Sequence, residues 1–152
     1  MDSELFKIIL TSSLTVIGGV IVFVSGQLAS KFFIDPIHAQ DKLLGDIANL
    51  LIMYAKLTND NNNPPAQDSN QWREIVKASN RLRQKASQLT AASYQIRAYR
   101  LFWLARIIRL NKKKVKTISR NLIGWSNFII SGDSQLVIKA QDKIGSILKV
   151  DV

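Results

Sequence analysis

The sequence predicts an all-α protein, with one N-terminal transmembrane helix followed by a small helical bundle. Lys7 and Lys31 bracket 23 residues without a charge. As a helix, this run would extend about 35 Å, enough to cross a hydrocarbon core of about 30 Å. The remainder shows apolar residues at helical spacing and no alternation of strand length. The 152 residues therefore divide into a predicted anchor, 1–35, and a predicted basic helical domain, 36–152.

The uncharged run has two unlike faces. On a helical wheel, small and hydroxyl residues gather on one arc, opposite large apolar side chains. The residues predicted to form a membrane-helix interface are Thr11, Thr15, Gly18, Gly19, Val22, Ser25, Gly26 and Ala29. Such a face can pack closely against another membrane helix, line a water-filled lumen in an oligomer, or belong to a plain monomeric anchor. We take self-association by packing as the prediction and keep the other two as alternatives.

Charges around the run predict its fate and orientation. The leader Asp2-Ser3-Glu4 is acidic and the apolar run is long, which favours an uncleaved anchor over a signal peptide. Lys and Arg are more frequent after the run than before it, so the positive-inside rule places the C-terminal domain in the cytoplasm. The absence of cysteine weakly favours a reducing compartment.

Helix signals divide the rest of the chain. Asp35-Pro36 is predicted to end the first helix, because proline disfavours helical geometry in the preceding residue and fits the start of the next helix. The further helices are predicted at 36–57, 71–92, 94–110, 115–131 and 134–149, with a loop at 58–70. The main buried stripes are predicted to be Trp72, Ile75, Ser79, Leu82, Ala86 and Leu89, then Val115, Ile118, Leu122, Trp125 and Ile129, then Leu136, Ala140, Ile144, Ile147 and Leu148.

The domain is strongly basic. The net charge is +10, and thirteen Lys or Arg lie between Glu74 and Asp133 with no acidic residue among them. The densest part, predicted to bind an anionic partner, is Arg106, Arg109, Lys112, Lys113, Lys114, Lys116 and Arg120. Anionic lipid is the nearest partner for a tethered domain, and an acidic protein is a further possibility. The neighbouring aromatic residues Tyr94, Tyr99, Phe102 and Trp103 suit a membrane interface, but they also permit stacking on a single-stranded nucleic acid, which we rank lower.

Signs of catalysis are lacking in the sequence. His38 is the one histidine and falls on the polar face of its predicted helix. No paired carboxylates, phosphate-binding loop or cluster of metal ligands occurs, so we predict no catalytic, cofactor or metal site and a non-enzymatic protein. Ser119, Asn121, Ser126 and Asn127 form a small polar group, which we interpret as a source of hydrogen bonds within and between helices.

Three blocks carry a resemblance: Ile-Leu-Thr-Ser-Ser-Leu-Thr-Val-Ile-Gly-Gly-Val at 9–20, Gln-Leu-Ala-Ser-Lys-Phe-Phe-Ile-Asp-Pro-Ile at 27–37 and Asn-Leu-Ile-Gly-Trp-Ser-Asn at 121–127. Together they resemble a group of small uncharacterised bacterial single-pass membrane proteins, which implies a bacterial inner membrane and no particular activity. The layout is also similar to membrane accessory proteins of bacterial antiviral systems, which makes a pore-forming or membrane-perturbing effector the alternative function. Some of those proteins carry a ribonuclease-like Arg–His motif, which this chain lacks.

Overall fold

The computed structural model describes residues 2–55, 69–97 and 99–150, and the described part is helical with no strand. The prediction of an all-helical protein is therefore confirmed. The predicted loop, apart from its last two residues, lies outside the described residues. The elements are α1 (Asp2–Ala29), a π-helical turn (Ser30–Ile34), α2 (Asp35–Tyr54), α3 (Asn70–Gln95), α4 (Tyr99–Leu104), α5 (Lys112–Ser131) and α6 (Ser134–Leu148).

The predicted helix end at Asp35-Pro36 is wrong, because α1, the π-turn and α2 form one unbroken helix from Ser3 to Tyr54. Asp35 keeps helical torsions, with φ −58° and ψ −44°, and donates its backbone N–H to the oxygen of Ser30, five residues back. Proline has no N–H to continue an ordinary helical ladder. One wider turn, closed by a five-residue hydrogen bond, carries the helix past Pro36 instead of ending it.

The bundle is built from α2, α3, α5 and α6. Helix α3 packs against both α2 and α5, and α6 packs against α5 and α2. Pairs of contacts show that α3 is antiparallel to both neighbours. Towards α2, Arg81 donates to the Tyr54 hydroxyl and Lys85 forms an ion pair with Asp46 at 2.7 Å. Towards α5, Ser79 donates to the Ser126 carbonyl at 3.0 Å and Tyr94 lies under Lys112. The fully buried large side chains at its centre are Ile47, Leu51, Leu82, Leu89, Ile118, Leu122, Trp125 and Ile144.

The predicted stripes are largely confirmed by burial. All five stripe residues of α5 are buried, and in α3 only Trp72 of the predicted six is half-exposed. The stripe of α6 is turned slightly, since Val137 is buried while Leu136 is 38% exposed. The starts of α3, α5 and α6 are capped by the side-chain oxygens of Ser69, Asn111 and Asp133, which accept backbone N–H groups.

The predicted helix at 94–110 is wrong in extent. Tyr94 and Gln95 are the last residues of α3, and a separate short helix, Tyr99–Leu104, ends where Arg106 adopts a left-handed φ of 58°. The Ile107 N–H donates to the Phe102 carbonyl and the Arg106 N–H to the Trp103 carbonyl, both at 3.0 Å, which is a Schellman helix end. The apolar residues of this segment show no single helical face, because the chain folds back on itself rather than continuing as a helix.

Candidate functional site

Helix α1 is apolar and fully exposed. From Ser3 to Ala29 every residue is exposed, and the most apolar window of the helix has no share buried against the rest of the protein. Among the described residues this is the one helix long and apolar enough to cross a membrane. Large exposed apolar surfaces on a protein mark contact with another protein or with a membrane.

The predicted interface of α1 is open along its whole length. All eight of its residues are exposed, and a methyl group built on Gly18, Gly19 or Gly26 would meet no atom within 4 Å. Two of the hydroxyls on this face bond within their own helix: Thr11 donates to the Lys7 carbonyl at 2.8 Å and Thr15 to the Thr11 carbonyl at 2.9 Å. These hydroxyl hydrogens are therefore satisfied without water or a partner.

Two ring contacts involve the π-turn, and a third joins the end of α3 to the start of α5. We call the end of the bundle formed by the π-turn, the end of α3, α4 and the start of α5 the proximal end. The rings of Phe33 and Phe102 are 5.6 Å apart, so α4 rests against the π-turn. The Arg97 guanidinium lies 5.5 Å from the centre of the Phe32 ring, and the Lys112 ammonium lies 4.6 Å above Tyr94. Cations over aromatic faces at these distances are attracted by the ring. These contacts join segments far apart in sequence.

The predicted anionic-partner residues gather near the proximal end, and all seven are exposed. Lys112, Lys113 and Lys114 are the first three residues of α5. Arg106 and Arg109 belong to the turn between α4 and α5, while Arg120 lies about 12 Å further along α5, given a rise of about 1.5 Å per residue. The structure therefore brings most of the predicted cluster together beside the end of the apolar helix.

Two grooves open within this cluster. One, of about 460 Å³, is lined by Trp103, Leu104, Arg106, Ile108 and Arg109. The other, of about 600 Å³, lies between α2, the start of α5 and the end of α6, and its charged lining residues are Asp41, Arg109, Lys114 and Lys149. Each groove has two or more cationic side chains beside apolar walls, a lining that suits an anionic group attached to an apolar body.

Tyr99 anchors the proximal end, a role that the sequence did not indicate. It is 7% exposed, accepts a hydrogen bond from the Gln40 amide at 3.1 Å and donates to the Leu110 carbonyl at 2.8 Å. Burial raises the pKa of Tyr99 above its ordinary value of 10.0; the hydrogen bond from Gln40 lowers it in part, and the charge of Asp41 raises it. Tyr99 thus ties α2 to both ends of the segment that carries α4.

Three of the four polar residues predicted to serve hydrogen bonding in α5 do so, whereas the buried Ser119 hydroxyl has no hydrogen-bond partner among the described residues. Arg83 donates to the Ser126 hydroxyl at 3.2 Å and to the Asn127 side-chain oxygen at 2.7 Å, and Asn121 donates to the Thr117 carbonyl at 2.8 Å. His38 is exposed. In the described parts of the chain, no three His, Asp or Glu side chains come together as a metal site.

Sequence reasoning missed the aromatic side of the site, Phe32 and Phe33 together with Arg97. A signal was present, because aromatic residues directly after a membrane run are typical of its interface.

Comparison with known proteins adds no family: no family model matches the chain, and neither the curated proteins nor the solved structures contain a significant match. The resemblance to small bacterial membrane proteins therefore stays a prediction.

Proposed function

We propose that this chain is a non-enzymatic single-pass protein of a bacterial inner membrane, which self-associates through the small-residue face of α1 and holds a basic cytoplasmic domain against anionic lipid. The observation that carries the proposal is one of placement. The exposed apolar helix leads into the π-turn, where Phe33 contacts Phe102, and α4 continues into the groove lined by Arg106 and Arg109. A bilayer around α1 would bring its headgroups to this end of the domain.

Electrostatics at the start of α5 supports an anionic partner. Lys112, Lys113 and Lys114 occupy the first turn of the helix, where the backbone N–H groups already carry partial positive charge. Cations are unfavourable there, so these lysines oppose the stability of their own helix. A phosphate in front of the turn would relieve this repulsion and is the type of group that helix starts bind. Each lysine near an anionic surface contributes about 1 kcal/mol of attraction.

Packing is the best-supported use of the open face of α1. Association in lipid depends on close approach of helix backbones, which glycine permits. Gly18, Gly19 and Gly26 lie open, and the hydroxyls of Thr11 and Thr15 are bonded to their own helix. The hydroxyl hydrogens of Thr11 and Thr15 would therefore stay paired in the hydrocarbon when this face meets a second copy.

The alternatives have weaker support. A pore would use the hydroxyls of α1 as lumen groups, yet two of them already donate to backbone carbonyls and no ring of charge accompanies them. Nucleic-acid binding would need free aromatic faces for stacking. Of the four aromatic residues named for this function, Tyr99 is buried and Phe102 rests on Phe33. That leaves Trp103 and Tyr94, and Lys112 lies over one face of Tyr94.

Native mass spectrometry of the full chain, released from bilayers of mixed neutral and anionic phospholipid, tests both parts of the proposal in one measurement. We expect an oligomer that retains anionic lipid in preference to neutral lipid. Gly19→Leu should give a monomer, because a bulky side chain blocks backbone approach, while Leu14→Ala on the opposite face should remain oligomeric. A monomeric parent in both detergent and bilayer would refute self-association, and equal retention of the two lipids would refute the anionic preference.

Topology is tested separately. A reporter that is active only in the cytoplasm, fused after Val152, should be active, because Lys and Arg are concentrated after the apolar run. Activity of a reporter that requires the periplasm at the same position would reverse the orientation. Loss of membrane potential on overexpression, prevented by Gly19→Leu, would favour the pore instead of the tethered domain.

A further inference from the structure

We propose that the α4 turn, defined as residues 102–107, inserts its apolar side chains into the headgroup layer of the bilayer that α1 occupies, while Arg106 and Arg109 bind the phosphates of anionic phospholipids. The inference rests on the membrane anchoring proposed above and adds a second, specific contact with the same bilayer. That contact would fix the domain on the membrane surface.

The apolar tip of the turn is unusually open. Leu104 is 75% exposed, Ile107 is 53% exposed and Trp103 is 44% exposed. Leu104 is therefore as open as Val22 in the apolar run of α1, which is 73% exposed. Three large apolar side chains in one short turn are unfavourable in water. At the level of lipid headgroups they are favourable, and tryptophan in particular is enriched there.

The position of the turn matches the end of the apolar run. Phe102, the first residue of the turn, has its ring 5.6 Å from that of Phe33. Phe33 comes two residues after Lys31, the charge that closes the run. The hydrocarbon core should end near Lys31, so the turn lies at the depth where headgroups begin.

The turn is held in shape by its own backbone. The two Schellman hydrogen bonds, from Ile107 to Phe102 and from Arg106 to Trp103, are both 3.0 Å long. Arg106 occupies the left-handed position, where glycine is usual because it has no side chain to clash. An arginine there is accepted at a backbone penalty and brings a guanidinium beside the apolar tip.

Charge selects the lipid. Arg106 and Arg109 line the same groove of about 460 Å³ as Trp103 and Leu104. A guanidinium donates two parallel hydrogen bonds to phosphate oxygens, and it can do so while neighbouring side chains enter the acyl region. Apolar side chains flanked by arginines thus fit an anionic phospholipid, whose phosphate and acyl chains present the complementary groups.

Site-specific fluorescence of the full chain tests this placement, because the protein contains no cysteine and single cysteines can be introduced for labelling. An environment-sensitive fluorophore is attached to Leu104→Cys, and nitroxide groups on the lipids quench it when it enters the bilayer. Ile17→Cys, in the apolar run, reports the anchor. Met53→Cys is the matched control, an exposed apolar position of α2 about 28 Å along the helix from Ile34.

We expect quenching at positions 17 and 104 and none at position 53, with stronger quenching at 104 in anionic than in neutral bilayers. Arg106→Gly combined with Arg109→Gln should reduce this lipid preference without loss of the fold, because glycine adopts the left-handed conformation freely and the lysines of α5 remain. Quenching at 17 but not at 104 would overturn the insertion and leave the anchor intact. Protection of position 104 from an aqueous quencher without lipid quenching would assign the turn to a protein partner and also overturn it. Absence of quenching at 17 would refute the anchor and, with it, this inference.

Discussion

Reversing two charges at the start of α5 should stabilise the fold and weaken the lipid contact at the same time. Asn111 caps α5, Lys112 is its first residue, and Lys113 and Lys114 are its second and third residues. An anion in the first turn of a helix stabilises it by about 0.3–1 kcal/mol, and a cation has the opposite effect. In Lys113→Glu/Lys114→Glu, the carboxylate introduced at position 114 would also be able to accept the backbone N–H of the cap, which completes a capping box.

The expected gain is about 1–2 kcal/mol for the pair, since both side chains are exposed and partly screened. For a domain of this size, that raises the midpoint of thermal unfolding by about 3–8 °C. The lipid contact changes in the opposite direction. If each lysine contributes about 1 kcal/mol, loss of two lowers the preference for anionic over neutral lipid by about tenfold or more.

Two assays on the same preparation separate these effects. Circular dichroism of the full chain in neutral-lipid nanodiscs gives the unfolding midpoint, and association of spin-labelled anionic and neutral lipids gives the preference. Lys77→Glu/Lys139→Glu is the matched control, because it makes the same charge change in exposed residues away from the first turns of their helices. It should alter neither the cap nor the lipid preference.

A lower midpoint for Lys113→Glu/Lys114→Glu would refute the argument from the helix dipole. An unchanged lipid preference would show that these lysines do not face headgroups. If the control variant lost as much preference as the test variant, net charge rather than the position of the cluster would govern binding.

Other predictions concern stability. Gly132→Ala should destabilise the protein by about 1 kcal/mol in thermal or denaturant unfolding, because Gly132 has a left-handed φ of 74° after α5. Gly45→Ala should instead stabilise the protein by about 0.5–1 kcal/mol, because Gly45 lies inside α2 and no atom is near the added methyl group. Tyr99→Phe should cost about 1–3 kcal/mol in the same assay, since it removes the phenol that Gln40 and the Leu110 carbonyl share. Because the pKa of Tyr99 is raised in the folded state, its contribution to stability is complete below pH 10 and is lost as the pH rises through the raised pKa. The alkaline decline in stability should therefore be smaller in Tyr99→Phe.

Repeating apolar positions made the bundle predictable from sequence. In α5, Val115, Ile118, Leu122, Trp125 and Ile129 are all buried as predicted, because a helix that packs on one side must place its apolar residues at helical spacing. The basic cluster was equally visible, because like charges adjacent in sequence stay adjacent on a helix and its flanking turn. Both predictions depend on local pattern alone.

Two predictions failed where a longer-range contact or a rare geometry outweighed the local rule. Proline usually ends a helix, but the π-turn at Ser30–Ile34 lets the chain continue through Pro36. The segment 94–110 has helix-forming residues, yet Tyr99 closes it onto Gln40 and Leu110, and α4 ends after Leu104. The contact of Phe33 with Phe102 is likewise invisible in sequence, because nothing local links residues so far apart.

The unbroken helix has a consequence for the proposed function. A hinge at Pro36 would let the domain swing freely, so that the basic cluster could face lipid or cytoplasm. Helix α2 instead continues α1, and Phe102 packs beside the junction against Phe33. The direction of α1 therefore also sets the direction of α2, the first helix of the bundle.

Self-association and lipid binding are then linked through charge. Copies that pack along α1 would bring strongly basic domains near one another, and their repulsion opposes assembly. At physiological salt the repulsion decays over about 8 Å, so it acts mainly between the clusters nearest the helix axis, at the proximal end. Anionic headgroups neutralise these same side chains. Under the proposed function, a lipid that binds the cluster would therefore also favour the oligomer, and by reciprocity an oligomer would bind that lipid more tightly than a monomer would.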